Sequence, residues 1–187
     1  MGANDNSCSV WEFASNYKPK LKTILRHRAA VKALAFCPWA DTLLATGAGS
    51  NDRHLRFWHA STGTLLSSHP VNAQVTFLAW CKDKKEIIVS FGYGNSEKPL
   101  LLSVFSYPLI TPLAQAFGNS YIRCLSACQS PNGVSVGVAT SDAFIRIYKI
   151  REQSMGLSLS SSTNVQGFYD SPLIELYEGV TKIDSIR

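Results

Sequence analysis

At 187 residues and 45% hydrophobic content, the chain is long enough for one domain with a sizeable core, which excludes a wholly disordered protein. The formal net charge is +5, but Lys and Arg are scattered and "KDKK" (Lys82 to Lys85) is the one dense run. A solvated turn accounts for that run, so a nucleic-acid partner is not indicated.

In chain order, the first feature is an acid-to-aromatic spacing, Asp5 to Trp11 ("DNSCSVW"), which returns 47 residues later at Asp52 to Trp58 ("DRHLRFW"). Forty-seven residues beyond Trp58 lies Phe105, and 43 further lies Tyr148, where Asp142 ("DAFIRIY") restores the same spacing. Between these aromatics stand short alternating or apolar runs bounded by turn residues. They are "VKALAFCPW", "LLATGAG", "HLRFW" and "TLLSSHP" in one cycle, and "VTFLAWCK", "EIIVSFGYG", "LLLSVFSY" and "PLAQAFG" in the next. Four strands per cycle of about 45 residues is the pattern of a β-propeller blade in WD-repeat proteins. The fold class expected is therefore all-β.

Within such a blade, the Asp of the turn between the second and third strands can join a His one strand earlier and the Trp in a buried hydrogen-bond network. This reading assigns structural roles to Asp52, His27 and Trp58, and by repetition to Asp5, Trp11 and Asp142. His54 with Asp52 is the competing acid–base or metal pair, and strand alternation is expected to point the two apart. The five cysteines, Cys8, Cys37, Cys81, Cys124 and Cys128, form no CxxC pair and have no partner-spaced histidines. Neither a metal site nor a disulfide framework is predicted, and reduced, mostly buried thiols fit the nucleus and cytoplasm. No apolar run reaches the roughly 18 residues of a membrane span, so no membrane partner is expected. No nucleophile–base pair, phosphate loop or cofactor motif is recognisable, so no enzyme activity and no cofactor are expected.

The chain opens on what reads as the end of one blade, continues through two whole blades and most of another, and changes composition at Arg151. Residues 1–150 are predicted to be a partial propeller: the end of blade four and blades five to seven of a seven-bladed ring. This reads as the C-terminal three to four blades of a longer protein or as the product of a truncated gene model, and an N-terminal strand is expected to complete the last blade. Residues 151–187 begin with the Ser-rich "REQSMGLSLSSSTNVQG" and read as a flexible tail. "FYDSPLIELYEGVTKIDSIR" is more mixed, with room for a short helix or a clip onto the propeller.

His27 to Ser68 ("HRAAVKALAFCPWADTLLATGAGSNDRHLRFWHASTGTLLSS"), together with "GANDNSCSVW" and a final Ile186-Arg187, resembles the Fizzy and Fizzy-related activators of the anaphase-promoting complex. The likeness covers roughly residues 2 to 150 and the last two. It implies a substrate-recruiting coactivator of a ubiquitin ligase. A generic WD-repeat protein-interaction scaffold without a ligase link is the alternative. The resemblance implies a pocket for the Lys-Glu-Asn degron at Asn4, Asn6, Ser50, Gln74 and Arg123. It also implies docking of Ile186 and Arg187 on a tetratricopeptide-repeat scaffold subunit of the ligase. The partners implied are ligase subunits, degron-containing substrates and pseudosubstrate inhibitors. Three departures imply a divergent member, a specialised or meiotic activator rather than the general mitotic one. Ala143 stands where the family has an acid at its destruction-box groove, blade six lacks the turn Asp and the Trp, and blade seven has Tyr148 for Trp.

Overall fold

The computed structural model describes residues 1–13, 17–119 and 121–150, and the strand Ile174–Tyr177. The described secondary structure is all strand, arranged as four antiparallel sheets in chain order. The first holds β1 (Ser7–Phe13) and β2 (Pro19–Arg26). The second runs β3 (Val31–Cys37), β4 (Ala40–Ala48), β5 (His54–His59) and β6 (Thr64–Pro70). The third runs β7 (Ala73–Trp80), β8 (Glu86–Gly94), β9 (Leu100–Ser106) and β10 (Pro112–Phe117). The fourth runs β11 (Cys124–Gln129), β12 (Ser135–Thr140), β13 (Ile145–Ile150) and β14 (Ile174–Tyr177). Each four-stranded sheet is a meander of sequential neighbours, and the first strands of successive sheets lie against one another, β3 on β7 and β7 on β11. This is the radial stacking of propeller blades, with β3, β7 and β11 innermost.

Side-chain alternation explains why the blades stack. Along β8, Ile87, Val89 and Phe91 face the blade before, while Ile88 faces the blade after. A strand covered on both faces needs an unbroken apolar run, and "IIVSF" supplies it. Between blades five and six, Leu55, Phe57, Val75, Trp80 and Ile87 form a core in which Phe57, Trp80 and Tyr107 stack, with centroids 5.1 to 5.8 Å apart. Between blades six and seven, Leu102, Val104, Ala116, Val136, Val138 and Tyr148 are buried together. Between blades four and five, Cys8, Val10 and Leu25 meet Val31, Leu44 and Trp58. Gly47 lets two blades approach closely, since a Cβ there would sit 2.2 Å from Val75 Cγ1.

The strand that completes the last blade differs from the expectation of an N-terminal donor. β14, from within the segment after Arg151, pairs antiparallel with β13, Ile150 opposite Ile174 and Ile147 opposite Tyr177. The donor is a short stretch of the same chain. The rest of that segment, Ser171-Pro172 included, lies outside the described residues. All five cysteines are free; Cys8, Cys37 and Cys124 are buried and Cys128 is exposed.

Candidate functional site

The turn between β4 and β5 carries the most densely bonded polar cluster. Asp52 is buried, and its carboxylate accepts two hydrogen bonds from Arg56, Nη1 to Oδ2 at 2.5 Å and Nη2 to Oδ1 at 2.8 Å. Oδ2 also accepts the Arg28 N–H at 3.1 Å, which ties the turn to the segment entering the blade. His27 and Trp58 meet at Thr46, whose Oγ1 lies 3.2 Å from His27 Nε2 and 2.8 Å from Trp58 Nε1. Arg56 Nη1 lies 3.0 Å from His27 Nδ1.

The protonation states follow from this geometry. Burial, then the Arg56 charge, pushes His27 down to about 4, so the ring is neutral at neutral pH. A guanidinium can only donate, so Nδ1 is the acceptor and Nε2 carries the proton that is donated to Thr46. The 3.6 Å approach of His27 Nδ1 to Asp52 Oδ2 is therefore no ion pair. Burial pulls the Asp52 carboxyl up, but the hydrogen bonds from Arg56 and Arg28 outweigh it and hold it below the usual carboxylate range. The cluster is a network that fastens β4, β5 and their turn to the segment entering β3.

Sequence reasoning brought Asp52, His27 and Trp58 together but passed over Arg56, the charge partner, and Thr46, the hub. It also expected His54 to point away from Asp52. Residues two apart share a face, and His54 Nδ1 lies 3.3 Å from Asp52 Oδ1 and 2.6 Å from the Asp52 carbonyl. With both carboxylate oxygens held by Arg56, the contact adds a turn-closing hydrogen bond rather than an acid–base pair. Among the described residues no group of three or more His, Cys, Asp or Glu could hold a metal ion.

The other repeats vary the same theme. In blade seven, Arg146 grips Asp142 with Nη1 to Oδ1 at 2.9 Å and Nη2 to Oδ2 at 2.6 Å, and Thr140 Oγ1 donates to Oδ1 at 2.6 Å. The hydrogen bonds from Arg146 hold the Asp142 carboxyl far below its ordinary value against a small opposing effect of burial. In blade four, Asp5 Oδ1 accepts the N–H and hydroxyl of Ser7, while Trp11 is 44% exposed and donates to Ser9 Oγ at 2.8 Å. Trp11 thus stands outside any buried network. Blade six has Val89 and Ser103 where the register of blade five has Thr46 and Arg56, so an apolar contact replaces the polar one.

The five residues of the implied pocket all lie at one end of the blades, where β3, β7 and β11 begin. Each of these strands has a bulge at the same place, after Val31, Val75 and Cys124. Ala30, Gln74 and Arg123 stand one residue before Val31, Val75 and Cys124 and so occupy one equivalent position, with a further register shift at Gln74 itself in β7. A bulge twists the strand locally and re-aims neighbouring side chains, a device common beside binding sites. Asn6 follows the turn Asp with φ +64°, as Arg53 (+50°) and Ala143 (+66°) do in their blades. Its carbonyl accepts the His27 N–H at 2.9 Å, and the Ala3 carbonyl accepts that of Val31 at 3.1 Å. These bonds strap the Asn4–Asn6 turn to the entry of β3. Ser50 follows Gly49, whose N–H donates to the Ala30 carbonyl at 2.9 Å. Arg123 is held by its backbone, its N–H on Ser141 Oγ at 3.1 Å and its carbonyl accepting the Ser141 N–H at 3.0 Å. Asn4, Asn6 and Arg123 are exposed, and Ser50 and Gln74 are half-buried. Among the described residues, no hydrogen bond joins any two of the five side chains. Ile186 and Arg187 lie outside the described residues.

A cleft of about 1200 Å³ opens at this end between blades six and seven, with Arg123 and Ser141 on one wall and the loop Asn95 to Pro99 on the other.

Known proteins match this architecture. A family described as "WD domain, G-beta repeat" matches residues 18–59. The meiosis-specific APC/C activator protein AMA1 of Saccharomyces cerevisiae is 43% identical over 180 residues, 96% of this chain and 30% of that protein. The anaphase-promoting complex subunit cdc20 of Dictyostelium discoideum is 35% identical over 153 residues, 81% of this chain and 30% of that protein. Among solved structures, a chain of a mitotic checkpoint complex superposes with a TM-score of 0.69 at 33% identity, over 81% of this chain and 45% of that one. The chain thus spans about a third of the length of the curated relatives it matches. By these likenesses the chain is a Cdc20-like WD-repeat protein, similar to the relatives named over about four-fifths of its length or more.

Proposed function

We propose that this chain is the degron-reading, ligase-docking part of a coactivator that recruits substrates to the anaphase-promoting complex ubiquitin ligase. The observation that carries the reading is the equivalence of Gln74 and Arg123, each ahead of a bulge on successive inner strands, at the end that also holds Asn4, Asn6 and Ser50. Arg123 is the one full positive charge of the five and suits the Glu of a Lys-Glu-Asn degron. The amides of Asn4, Asn6 and Gln74 and the hydroxyl of Ser50 suit its Asn and backbone, which need both donors and acceptors. The site acts by binding, on a surface held ready by backbone hydrogen bonds.

The destruction-box degron is the weaker ligand in this account. Ala143 offers no carboxylate to its Arg, and the neighbouring Asp142 has both oxygens occupied by Arg146. Ile186 and Arg187 provide an apolar side chain, a guanidinium and a carboxylate for a tetratricopeptide-repeat subunit of the ligase. Pseudosubstrate inhibitors compete for the same face, and the protein works in the nucleus and cytoplasm.

Titration of a labelled Lys-Glu-Asn peptide against the full-length protein tests the pocket. Arg123→Ala is expected to weaken binding by about 1.5–3 kcal/mol, the range for a hydrogen bond to a charged group. Equal affinity of wild type and variant would remove Arg123 from the site.

A further inference from the structure

The cleft between blades six and seven is larger than one degron side chain requires. Its volume of about 1200 Å³ exceeds the roughly 300–1,000 Å³ of ordinary small-molecule pockets. Its walls are held in place. In the β8–β9 loop, Ser96 Oγ donates to the Lys98 carbonyl at 2.9 Å and accepts the Lys98 N–H at 3.2 Å. Arg53 of blade five reaches across to Asn95 Oδ1 at 3.1 Å, and the Gly118 N–H bonds the Pro99 carbonyl at 2.8 Å.

The cleft presents Lys98 and Arg123 against one carboxylate, Glu97, and no ion pair forms to either cation among the described residues. Beside them Tyr121 stands 97% exposed, on a backbone with φ +74° that a bulky residue rarely adopts. The combination of unengaged cations with a fully presented aromatic ring suits an acidic segment that also carries an apolar or aromatic side chain. Continuity with the proposed degron pocket points to a polypeptide. Gly92 lines the cleft, and Gln74 Oε1 lies 3.0 Å from where a Cβ of Gly92 would be, so the side chain of Gln74 borders the cleft in which Arg123 also stands.

We infer that this cleft binds the stretch of substrate that flanks the Lys-Glu-Asn core, an acidic residue pairing with Lys98 and an apolar or aromatic one packing on Tyr121. The inference rests on the degron reading above and adds to it a second specificity element. Substrates with acidic, aromatic flanks bind more tightly than those with the bare core or with basic flanks.

The test uses full-length protein and four peptides: the Lys-Glu-Asn core, the core extended by an Asp/Phe-containing stretch at either end, and a control with Lys in place of Asp. One of the two acidic extensions is expected to tighten binding by about tenfold, and the basic control to give no gain. Lys98→Glu is expected to abolish the gain while holding the core peptide within about twofold of wild type, and Tyr121→Ala to reduce it. Core binding with no gain from either extension, or a gain that survives Lys98→Glu, would overturn the cleft assignment alone. Failure of the core peptide to bind wild type would overturn the degron reading and this inference with it.

Discussion

Arg56 and Asp52 face each other as two parallel hydrogen bonds four residues apart, and Arg146 and Asp142 repeat the arrangement two blades on. The two pairs differ in burial: the Asp52 side chain is fully covered, whereas that of Asp142 is 27% exposed. Removing Arg56 leaves the buried Asp52 carboxylate without its charge partner, held only by the Arg28 N–H and the His54 contact. Arg56→Met is therefore expected to destabilise the protein by about 3–5 kcal/mol, as broken buried pairs do. Arg146→Met is expected to cost about 1 kcal/mol, because water reaches the carboxylate it leaves behind. Urea denaturation of the two variants checks the order, and equal losses would contradict it.

The neutral state of His27 makes stability depend on pH. Its pKa is lowered to about 4 in the folded protein against about 6.5 in the unfolded chain, so the unfolded state takes up the proton first as pH falls. Stability is then unaffected above pH 6.5 and falls from there toward pH 4, by a total of about 3 kcal/mol. Asp52, lowered in the fold, adds a further loss only when pH drops through the carboxylate range. Denaturation midpoints across this interval are expected to slope downward for wild type and to flatten in His27→Asn. An unchanged slope in the variant would assign the effect to other groups.

Ala143 sits at φ +66°, a left-handed conformation that costs an alanine about 1–2 kcal/mol. Asn tolerates it, as Asn6 does at the equivalent turn position. Ala143→Asn is expected to raise stability by up to about 1 kcal/mol, read as a higher denaturation midpoint. A lower midpoint would show that the turn makes demands beyond its backbone angle.

The blade seams have little slack at Gly47. An added methyl would overlap Val75, whose position in the core between blades five and six is fixed by its neighbours. Gly47→Ala is expected to cost about 1–3 kcal/mol, the range for overpacked cores. Recovery of most of that loss in the double variant Gly47→Ala, Val75→Ala would confirm the steric cause, and additive losses would contradict it.

The strands β3 to β10 were legible because each blade buries alternate residues of its outer strands and both faces of its middle ones, which writes period-2 and continuous apolar runs into the sequence. Asp52 and Trp58 were legible from spacing, and His27 from the WD-repeat blade pattern that the spacing indicates. Arg56 was not, although the signal was there: an Arg follows the turn Asp by four residues at both Asp52 and Asp142. It was read as a strand residue because a cation on a buried face looks like a solvated one until its partner is placed. β14 was foreshadowed only as a clip onto the propeller, one of two readings of that mixed stretch, because four residues, "IELY", carry too short a pattern to decide between helix and strand. The equivalence of Gln74 and Arg123 depends on bulges, which leave no periodic trace in sequence.

Exposed apolar residues mark the two ends of the arc of blades. Leu125, Ile145 and Ile147 lie on the face of blade seven turned away from blade six, and Trp11, Phe13, Leu21 and Ile24 on blade four.

Ubiquitination of a substrate bearing a Lys-Glu-Asn degron, by purified ligase with full-length protein, tests most directly whether degron reading and ligase docking reside in this chain. Wild type is compared with Arg123→Ala, with a deletion of Ile186 and Arg187, and with each on a substrate whose degron is mutated. Both variants are expected to lose modification of the intact substrate. Arg123→Ala causes no further loss on the mutated one, and the deletion still binds degron peptide as wild type does. Full modification of the intact substrate by Arg123→Ala, or by the deletion, would contradict that expectation.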